Sequence, residues 1–448
     1  MRVAVVGGGI AGLAAAWELR DRADVTVFEP ARLGGKLQTE TFLGHLVDMG
    51  ADAFIARVPE ALALCEELGI DGDLVAPSAT KALLWAGGRL RPLPDGLVLG
   101  VPGRLGPLLR SGILTPAGIV RASLDLVLPR TEWPDDLAVA DLVAARFGRQ
   151  VADRLVDPLL GGIHAGRTDR LSVEATAPQL ATAARRSRSL LLGLRRSPSP
   201  APGPVFLAPR LGMQALVDRL VAALAEVGVG FVREEVVSLD DENGGLVRLE
   251  PGGAFDRVVL AVPAATAAKL IKAVSPEAAA GLGDIRTASV ALATLAYPAG
   301  LPIPQDASGF LVPRGEGRLM TACSFGSRKW PHWSDPDTDV LRVSAGRAGD
   351  DRPFELDDER LVERLDVEVS EALHTTASPS AWRVSRWPGA FPQYAVGHLR
   401  HVATIDAALR RAAPHLALAG ASYRGSGIPA CIASGRRGAA LLVPPPAE

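Results

Sequence analysis

The chain has 448 residues, of which 48% are hydrophobic and 22% are charged, and its formal net charge is −2. This composition is typical of a globular protein, and the length exceeds what one hydrophobic core usually organises, so two or three domains are expected. The near-zero net charge supplies no field that would gather polyanions, and nucleic acid is therefore not an expected partner.

Cysteines, histidines and apolar runs exclude further classes of protein. Cys65, Cys323 and Cys431 are far apart and form no CxxC pair, which fits a reducing cytoplasm without disulfides. His398 and His401 are three residues apart but have no further ligands near them in sequence, so no metal site is expected. No run of about 18 apolar residues occurs, and a membrane-spanning helix is not expected.

The first thirty residues follow the order strand, glycine turn, helix, strand. The β-branched run RVAVV at 2–6 predicts a buried parallel strand. Gly7, Gly9 and Gly12 follow in the GxGxxG pattern, and the alanine-rich and leucine-rich segment after them favours a helix. The next run, VTVFE, predicts a second strand that ends in Glu29. This order predicts a dinucleotide-binding unit.

Each part of this unit has a physical reason. Gly7 makes the tight turn, Gly9 removes the side chain where a pyrophosphate approaches, and Gly12 lets helix and strand lie close together. The amino terminus of the helix offers unpaired N–H groups and the positive end of its dipole to the anion. Glu29 is placed to accept hydrogen bonds from the adenosine ribose hydroxyls.

A second glycine pair follows the ribose acid in the segment RLGGK. Gly34 and Gly35 let the chain pass close to a long extended cofactor, with Arg32 and Lys36 as positive neighbours. This arrangement resembles the FAD-containing superfamily of amine oxidases, phytoene desaturases and protoporphyrinogen oxidases, and it favours FAD over NAD. The segment VDMGADAF at 47–54 is similar to the superfamily's next segment, which implies that Gly50 and Ala51 contact the cofactor.

The cofactor domain is expected to be discontinuous. Helical spacing at 212–228, an alternating strand at 229–239 and a buried strand at 255–263 predict its second part, and strand, turn and helix at 416–442 predict its third. The resemblance implies that Val236 contacts the cofactor.

Leucine-rich and alanine-rich segments with prolines predict a helical subdomain after about residue 95, and a proline-rich connector at 197–204 marks its end. Alternating runs such as VALATLAY predict an antiparallel substrate sheet. The expected division is: cofactor domain 1–60, 205–280 and 396–448; substrate domain 61–95 and 281–395; helical subdomain 96–204.

Four segments resemble the protoporphyrinogen and coproporphyrinogen oxidase family, specifically its soluble Gram-positive type. They are KALLWAGGRLRPLP at 81–94, DPLLGGIHAGRTDRLS at 157–172, SRWPGAFPQYAVGH at 385–398 and GASYRGSGIPACIASG at 420–435. The resemblance implies an α/β fold with a Rossmann-like FAD-binding domain of the glutathione-reductase type, an antiparallel-sheet substrate domain and a helical subdomain.

The resemblance also implies the reaction. A porphyrinogen loses six electrons in three two-electron steps, and three O₂ become three H₂O₂ in haem biosynthesis. Flavin N5 carries the chemistry, so no catalytic side chain is expected. Coproporphyrinogen III is the preferred substrate and protoporphyrinogen IX the close alternative. A flavin amine oxidase or carotenoid desaturase, and a non-catalytic porphyrin or flavin carrier, stay open as further readings.

Site residues follow from the same resemblance. Lys81 matches the family's cation for a substrate propionate, and Arg89 and Arg91 are weaker candidates. Gly420 resembles a glycine near the flavin phosphates and ribityl chain.

Gly427, Ile428 and Pro429 resemble the turn beside the isoalloxazine ring. Family members often carry an acid where this chain has Ala430, and the family context of Cys431 implies noncovalent FAD.

The basic segment RRSRSLLLGLRR at 185–196 favours a solvated helix end and leaves open a peripheral contact with a membrane or a partner enzyme such as ferrochelatase. Trp330 and Trp333 are expected to pack in the core or in a loop rather than to be exposed recognition groups.

Overall fold

The computed structural model describes residues 1–196, 203–242 and 245–444. Most of the predicted proline-rich connector at 197–204 lies outside the described residues. The chain forms two compact units: the first is Met1–Ala76, Ala201–Arg286 and Leu399–Glu448, and the second is Pro77–Pro200 and Thr287–His398. The finer division into cofactor, substrate and helical parts stays a prediction.

The strands share short, mostly β-branched or aromatic runs. In chain order they are β1 (Arg2–Val6), β2 (Asp24–Phe28), β3 (Thr39–Phe42), β4 (His45–Asp48), β5 (Phe54–Ile55), β6 (Leu74–Val75), β7 (Lys81–Trp85), β8 (Leu90–Pro92), β9 (Leu97–Val98), β10 (Val101–Pro102), β11 (Phe206–Pro209), β12 (Gly230–Val232), β13 (Ser238–Glu242), β14 (Leu246–Glu250), β15 (Gly253–Phe255), β16 (Arg257–Leu260), β17 (Thr287–Pro298), β18 (Ala307–Leu311), β19 (Met320–Phe325), β20 (Thr338–Ala345), β21 (Ala381–Pro392) and β22 (Leu416–Leu418).

The helices are rich in alanine and leucine. In chain order they are α1 (Ile10–Leu19), α2 (Pro59–Glu67), α3 (Leu105–Ser111), α4 (Pro116–Ser123), α5 (Val139–Phe147), α6 (Arg149–Val151), α7 (Gly162–His164), α8 (Val173–Thr176), α9 (Pro178–Arg186), α10 (Leu190–Arg195), α11 (Gln214–Glu226), α12 (Ala264–Leu270), α13 (Pro276–Gly283), α14 (Gly326–Lys329), α15 (Asp358–Leu373), α16 (His398–Ala412) and α17 (Ile428–Leu442). A π-helical stretch, Ala152–Gly161, joins α6 to α7.

A parallel sheet organises the first unit. Its strand order is β12-β2-β1-β16-β22, and every neighbouring pair is parallel. The central strand is buried from Val3 to Val6, as its apolar sequence predicts. Because all five strands run the same way, their carboxyl ends lie along one edge, where open α/β sheets bind their ligands.

Helices α1 and α17 lie side by side in this unit. A Cβ added at Gly435 of α17 would lie 2.0 Å from the carbonyl oxygen of Ala11 and 3.0 Å from the backbone nitrogen of Ala15. Only a glycine lets the two backbones come so close. The Glu67 carboxylate ties the same helices further, since it accepts hydrogen bonds from Trp17 Nε1 at 2.6 Å and from Arg436 Nη2 at 2.7 Å.

A second core of the first unit lies beneath the antiparallel sheet β13-β14-β15. Phe28 and Phe255 meet edge to face in it, with ring centroids 5.8 Å apart. The single strand predicted at 229–239 is wrong: β12 ends at Val232 and β13 begins at Ser238. The charged residues at 233–235 are exposed, which takes the chain away from the parallel sheet after three residues.

A seven-stranded sheet dominates the second unit, in the order β21-β17-β20-β19-β18-β7-β8. Its neighbouring pairs are antiparallel except β18 and β7, which are parallel. The sheet buries a core against α15. Trp330 and Trp333 are fully buried, as expected for both side chains.

Helices α3 to α6 and α8 to α10 share one hydrophobic core in the second unit. A buried ion pair between Asp125 and Arg146, 2.6 Å apart, holds this core, and Asp125 also accepts the Leu191 N–H at 2.9 Å. Leu190, Leu191 and Leu194 of the basic segment 185–196 point into the core rather than to a membrane surface. Within the residues that the structure describes, no helix is long and apolar enough to cross a bilayer.

The close approach of α1 and α17 predicts a position-specific glycine requirement. We expect Gly435→Ala to lower the free energy of unfolding by about 2 kcal/mol or more, because the added methyl group overlaps the backbone of α1. Gly438→Ala is the matched control, since its Cβ would meet no atom closer than 3.5 Å. Alanine favours the helix there, so its stability should stay within ~1 kcal/mol of wild type. Urea unfolding measures the free energy of unfolding of both variants. Equal values for the two variants would contradict the close contact between Gly435 and the backbone of α1.

Candidate functional site

The first glycine turn lies at the carboxyl end of β1. Gly7 has φ +107°, which favours glycine, and its N–H donates to the Phe28 carbonyl at 2.8 Å. A Cβ at Gly12 would lie 1.9 Å from the Gly7 carbonyl oxygen, so helix and turn touch through this glycine. Both glycines have the roles that the sequence predicts for them.

Glu29 follows β2 on the same edge of the sheet. Its Oε2 accepts the Gly8 N–H at 2.8 Å, and its Oε1 accepts the Ala31 N–H at 3.1 Å. The carboxylate is therefore fixed beside the glycine turn, and each oxygen keeps a further lone pair for a hydroxyl donor.

The second glycine pair lies directly against the first turn. The Gly34 N–H donates to the Gly8 carbonyl at 2.8 Å, and a Cβ at Gly35 would lie 3.3 Å from Gly9 Cα. Gly34 and Gly35 have φ values of +102° and +60°, respectively. Arg32 lies beside them and donates weakly to the Thr39 carbonyl at 3.4 Å.

The carboxy-terminal turn connects β22 to α17 on this edge. Gly420 has φ +118°, and its N–H donates to Ser434 Oγ at 3.0 Å. Gly427 is the N-cap residue of α17, and Ile428 and Pro429 are its first two residues. The sequence pattern had no signal for Ser434, because a serine inside a helix usually faces solvent or the helix backbone.

Lys36, which follows the second glycine pair, and Cys431, in the first turn of α17, are close enough for each to affect the pKa of the other. Neighbouring protein atoms desolvate the Lys36 ammonium and lower its pKa, although part of the side chain remains exposed. Burial raises the pKa of the Cys431 thiol to about 11, against the opposing pull of Lys36. The thiol is therefore protonated at neutral pH and is a poor nucleophile.

The turns fit an extended anionic cofactor. A Cβ at Gly9 or at Gly420 would have no atom within 4 Å, so both backbones face open space. Gly9 and Gly427 cap α1 and α17 without a side-chain hydrogen bond from the described residues. The first-turn N–H groups of both helices thus remain to bind a phosphate or another anionic group.

The remaining predicted cofactor residues lie farther along the first unit. Gly50 and Ala51 are half-buried in the loop after β4, and Val236 is buried in the core. Asp48, which the sequence pattern did not mark, accepts hydrogen bonds from Thr39 Oγ1 at 2.6 Å and from the Met213 N–H at 2.8 Å. Met213 is 165 residues from Asp48 in sequence, so only the folded chain reveals this anchor of the loop.

Two of the resembling segments, 157–172 and 385–398, meet in the second unit. The Ser172 N–H donates to the Tyr394 carbonyl at 2.8 Å, and Gln393 Nε2 donates to the His164 carbonyl at 2.9 Å. Burial lowers the pKa of His164 to about 4, so its imidazole is neutral at pH 7.

The two histidines near position 400 have structural roles. The His398 ring stacks on Tyr394 at 4.3 Å, and His401 Nε2 lies 2.7 Å from the Gly281 carbonyl.

Lys81, the predicted propionate ligand, begins β7 at one end of the large sheet. Its Nζ lies 3.1 Å from Asp306 Oδ2, and the two side chains are 67% and 58% exposed. Arg91 instead donates to the Ala86 carbonyl at 3.2 Å within its own hairpin. Lys81 is therefore an accessible cation with one carboxylate neighbour.

Residues 10–443 match the family model of the flavin-containing amine oxidoreductases. The chain belongs to this family. The resemblance and fold class predicted from the sequence are confirmed, and the protein is an oxidoreductase whose cofactor is a flavin.

Individual relatives cover almost the whole chain. The coproporphyrinogen III oxidase of Mycobacterium tuberculosis is 39% identical over 98% of this chain and 96% of its own length. The coproporphyrinogen III oxidase of Bacillus subtilis is 30% identical over 97% of this chain and 96% of its own length. A crystal structure from Exiguobacterium, named as a candidate protoporphyrinogen oxidase, is 30% identical, with a TM-score of 0.88 over 97% of both chains.

Proposed function

We propose that the protein is an FAD-dependent oxidase that converts coproporphyrinogen III to coproporphyrin III in haem biosynthesis. The observation that carries this proposal is the near-full-length similarity to coproporphyrinogen III oxidases of two bacteria. Protoporphyrinogen IX is the second candidate substrate, which the name of the Exiguobacterium structure favours.

Noncovalent FAD is part of the proposal. The amino terminus of α1 and Gly9 would hold the pyrophosphate, Glu29 the adenosine ribose, and Gly420 the phosphates and ribityl chain. The protonated state of Cys431 at neutral pH supports noncovalent attachment, because only a thiolate attacks readily.

Bound FAD would supply the redox chemistry, which is removal of a hydride from a meso carbon and a proton from a pyrrole nitrogen of the porphyrinogen, with O₂ as the final acceptor and H₂O₂ as the product. The chain's own residues would bind and orient the flavin and the substrate. The N–H groups that open α17, after Gly427, would present the positive end of a helix dipole to the bound flavin. Lys81 would hold a substrate propionate.

A cytoplasmic location also belongs to the proposal, as does a transient contact with ferrochelatase. The free, buried state of Cys65, Cys323 and Cys431 supports a reducing compartment.

Turnover of pure porphyrinogens tests the proposal directly. We expect a higher kcat/KM for coproporphyrinogen III than for protoporphyrinogen IX, measured by porphyrin fluorescence, with H₂O₂ as the second product. A preference for protoporphyrinogen IX would select the second candidate. Peroxide release with simple amines alone would favour an amine oxidase. A flavin that no porphyrinogen bleaches under anaerobic conditions would indicate a carrier.

The position of Glu29 predicts an effect on cofactor affinity. We expect Glu29→Gln to raise the Kd for FAD about tenfold, because one charged hydrogen bond to the ribose is lost and an amide donor now faces backbone N–H groups. Glu18→Gln is the control, since the Glu18 carboxylate forms an ion pair with Arg22, just beyond the end of α1. Quenching of flavin fluorescence on titration measures both values. An unchanged Kd in Glu29→Gln would contradict the ribose assignment.

Lys81 offers a test of substrate binding. We expect Lys81→Ala to raise KM for coproporphyrinogen III about fivefold with kcat unchanged, as for loss of ~1 kcal/mol from a partly exposed ion pair. Asp306→Ala keeps the lysine and removes its competing partner, so its KM should stay the same or fall. A similar KM in both variants and the wild type would mean that the lysine serves only the ion pair.

A further inference from the structure

Arg347 is a buried cation that lacks acceptors. It lies on the turn after β20, and its side chain is only 10% exposed. Its Nε is buried without a hydrogen bond, and no atom of the described residues accepts a hydrogen bond from its guanidinium group. The nearest carboxylate oxygen, Asp350 Oδ2, is 3.9 Å from Nε, which is too far for a hydrogen bond.

Two carboxylates near Arg347 or Arg314 already have partners. Asp350, beside Arg347, accepts two hydrogen bonds of 2.7 Å from Arg352, a bidentate pair that occupies both of its oxygens. Asp169, which acts on Arg314, is held in the same way by Arg167, at 3.0 and 2.6 Å. Each of these two pairs is electrically neutral, so neither compensates the charge of Arg347.

Arg314 is a second cation with an unused donor. Its Nη1 and Nη2 donate to the carbonyls of Ala348 and Gly166 at 3.4 and 3.2 Å, while its buried Nε has no partner. Asp157 Oδ2 lies 4.0 Å from that Nε. Asp350 is already paired with Arg352, so Asp157 is left to balance both Arg314 and Arg347, and one positive charge is in excess among these described residues.

Electrostatics make this excess unfavourable in the free protein. Burial lowers the pKa of both guanidinium groups, and the positive charge of Arg314 lowers the pKa of Arg347 further, to about 10. Both groups remain charged at neutral pH. A buried charge without an acceptor is costly, and an anion in contact with it would remove that cost.

We propose that Arg347, supported by Arg314, binds a carboxylate, and that this carboxylate is a propionate of the porphyrinogen. The choice of ligand rests on the proposed function. A guanidinium group matches a carboxylate with two parallel hydrogen bonds, which Arg347 has free to offer. Coproporphyrinogen III carries four propionates, and Lys81 supplies a cation for one of them. A free oxyanion such as phosphate has the same chemistry and is the alternative source.

The test compares Arg347→Gln with Arg318→Gln. Arg318 also belongs to the second unit, but it is paired with Glu371 and stacks on Trp85. For Arg347→Gln we expect KM for coproporphyrinogen III to rise about tenfold with kcat retained, since one charged bidentate contact is lost. Its Tm should equal or exceed that of the wild type, because an uncompensated buried charge disappears. Arg318→Gln should leave KM unchanged and lower Tm slightly.

The conservative variant Arg347→Lys keeps the charge without the two-pronged geometry, and its KM should lie between those of wild type and Arg347→Gln. An unchanged KM together with a lower Tm in Arg347→Gln would overturn the proposal, because the arginine would then be structural. An unchanged KM, with inorganic phosphate raising the Tm of wild type but not of the variant, would overturn the substrate assignment in favour of a free anion.

The role of Arg347 can be tested even if the proposed enzymatic function is wrong. If the wild-type protein oxidised no porphyrinogen, binding of the product coproporphyrin III, followed by its Soret absorbance, would still decide the role of Arg347. Weaker binding by Arg347→Gln than by wild type would support the carboxylate site, and equal binding would overturn it.

Discussion

The backbone contact between Gly435 and the first turns of α1 is the constraint on which the first unit depends. It sets α1 and α17 side by side over a parallel sheet, and each helix begins just beyond a strand at the same edge. Two helix amino termini, separated by more than 400 residues in sequence, therefore face the same ligand-binding edge. The positive ends of two dipoles and several unpaired N–H groups follow from this one close approach.

Side chains around that edge act mainly by holding backbone in place. Glu29 fixes the turn at Gly8, and Ser434 accepts the N–H of Gly420. Glycines keep this edge free of side chains, since a Cβ at Gly7 or Gly12 would collide with neighbouring backbone and a Cβ at Gly9 or Gly420 would enter open space. Because the flavin supplies the redox chemistry, the chain needs accurate placement rather than a strong acid or base.

The second unit is distinguished by how its buried charges are neutralised. Most of its buried charge is neutralised within the chain, as in the pair of Asp125 and Arg146. Arg314 and Arg347 depart from this rule, because Asp157 and Asp350 lie 4.0 and 3.9 Å from their respective Nε atoms and Asp350 is already paired with Arg352. Departures from local neutrality lower stability, and in folded proteins they are concentrated where a ligand completes the charge balance. The excess charge is therefore informative about binding in a unit without an obvious catalytic side chain.

The sequence by itself determined the dinucleotide-binding unit, the discontinuous return of its strands and the family, because those depend on local periodicity and on glycines with specific backbone roles. It also indicated the burial of Trp330 and Trp333. Only the tertiary structure decided the break after Val232, the parallel pairing of β7 with β18, and the anchor formed by Asp48. The charge imbalance at Arg347 was likewise invisible in the sequence. Such features depend on which distant residues meet, and hydrogen-bond partners and neutralising charges acquire positions only when the chain is folded.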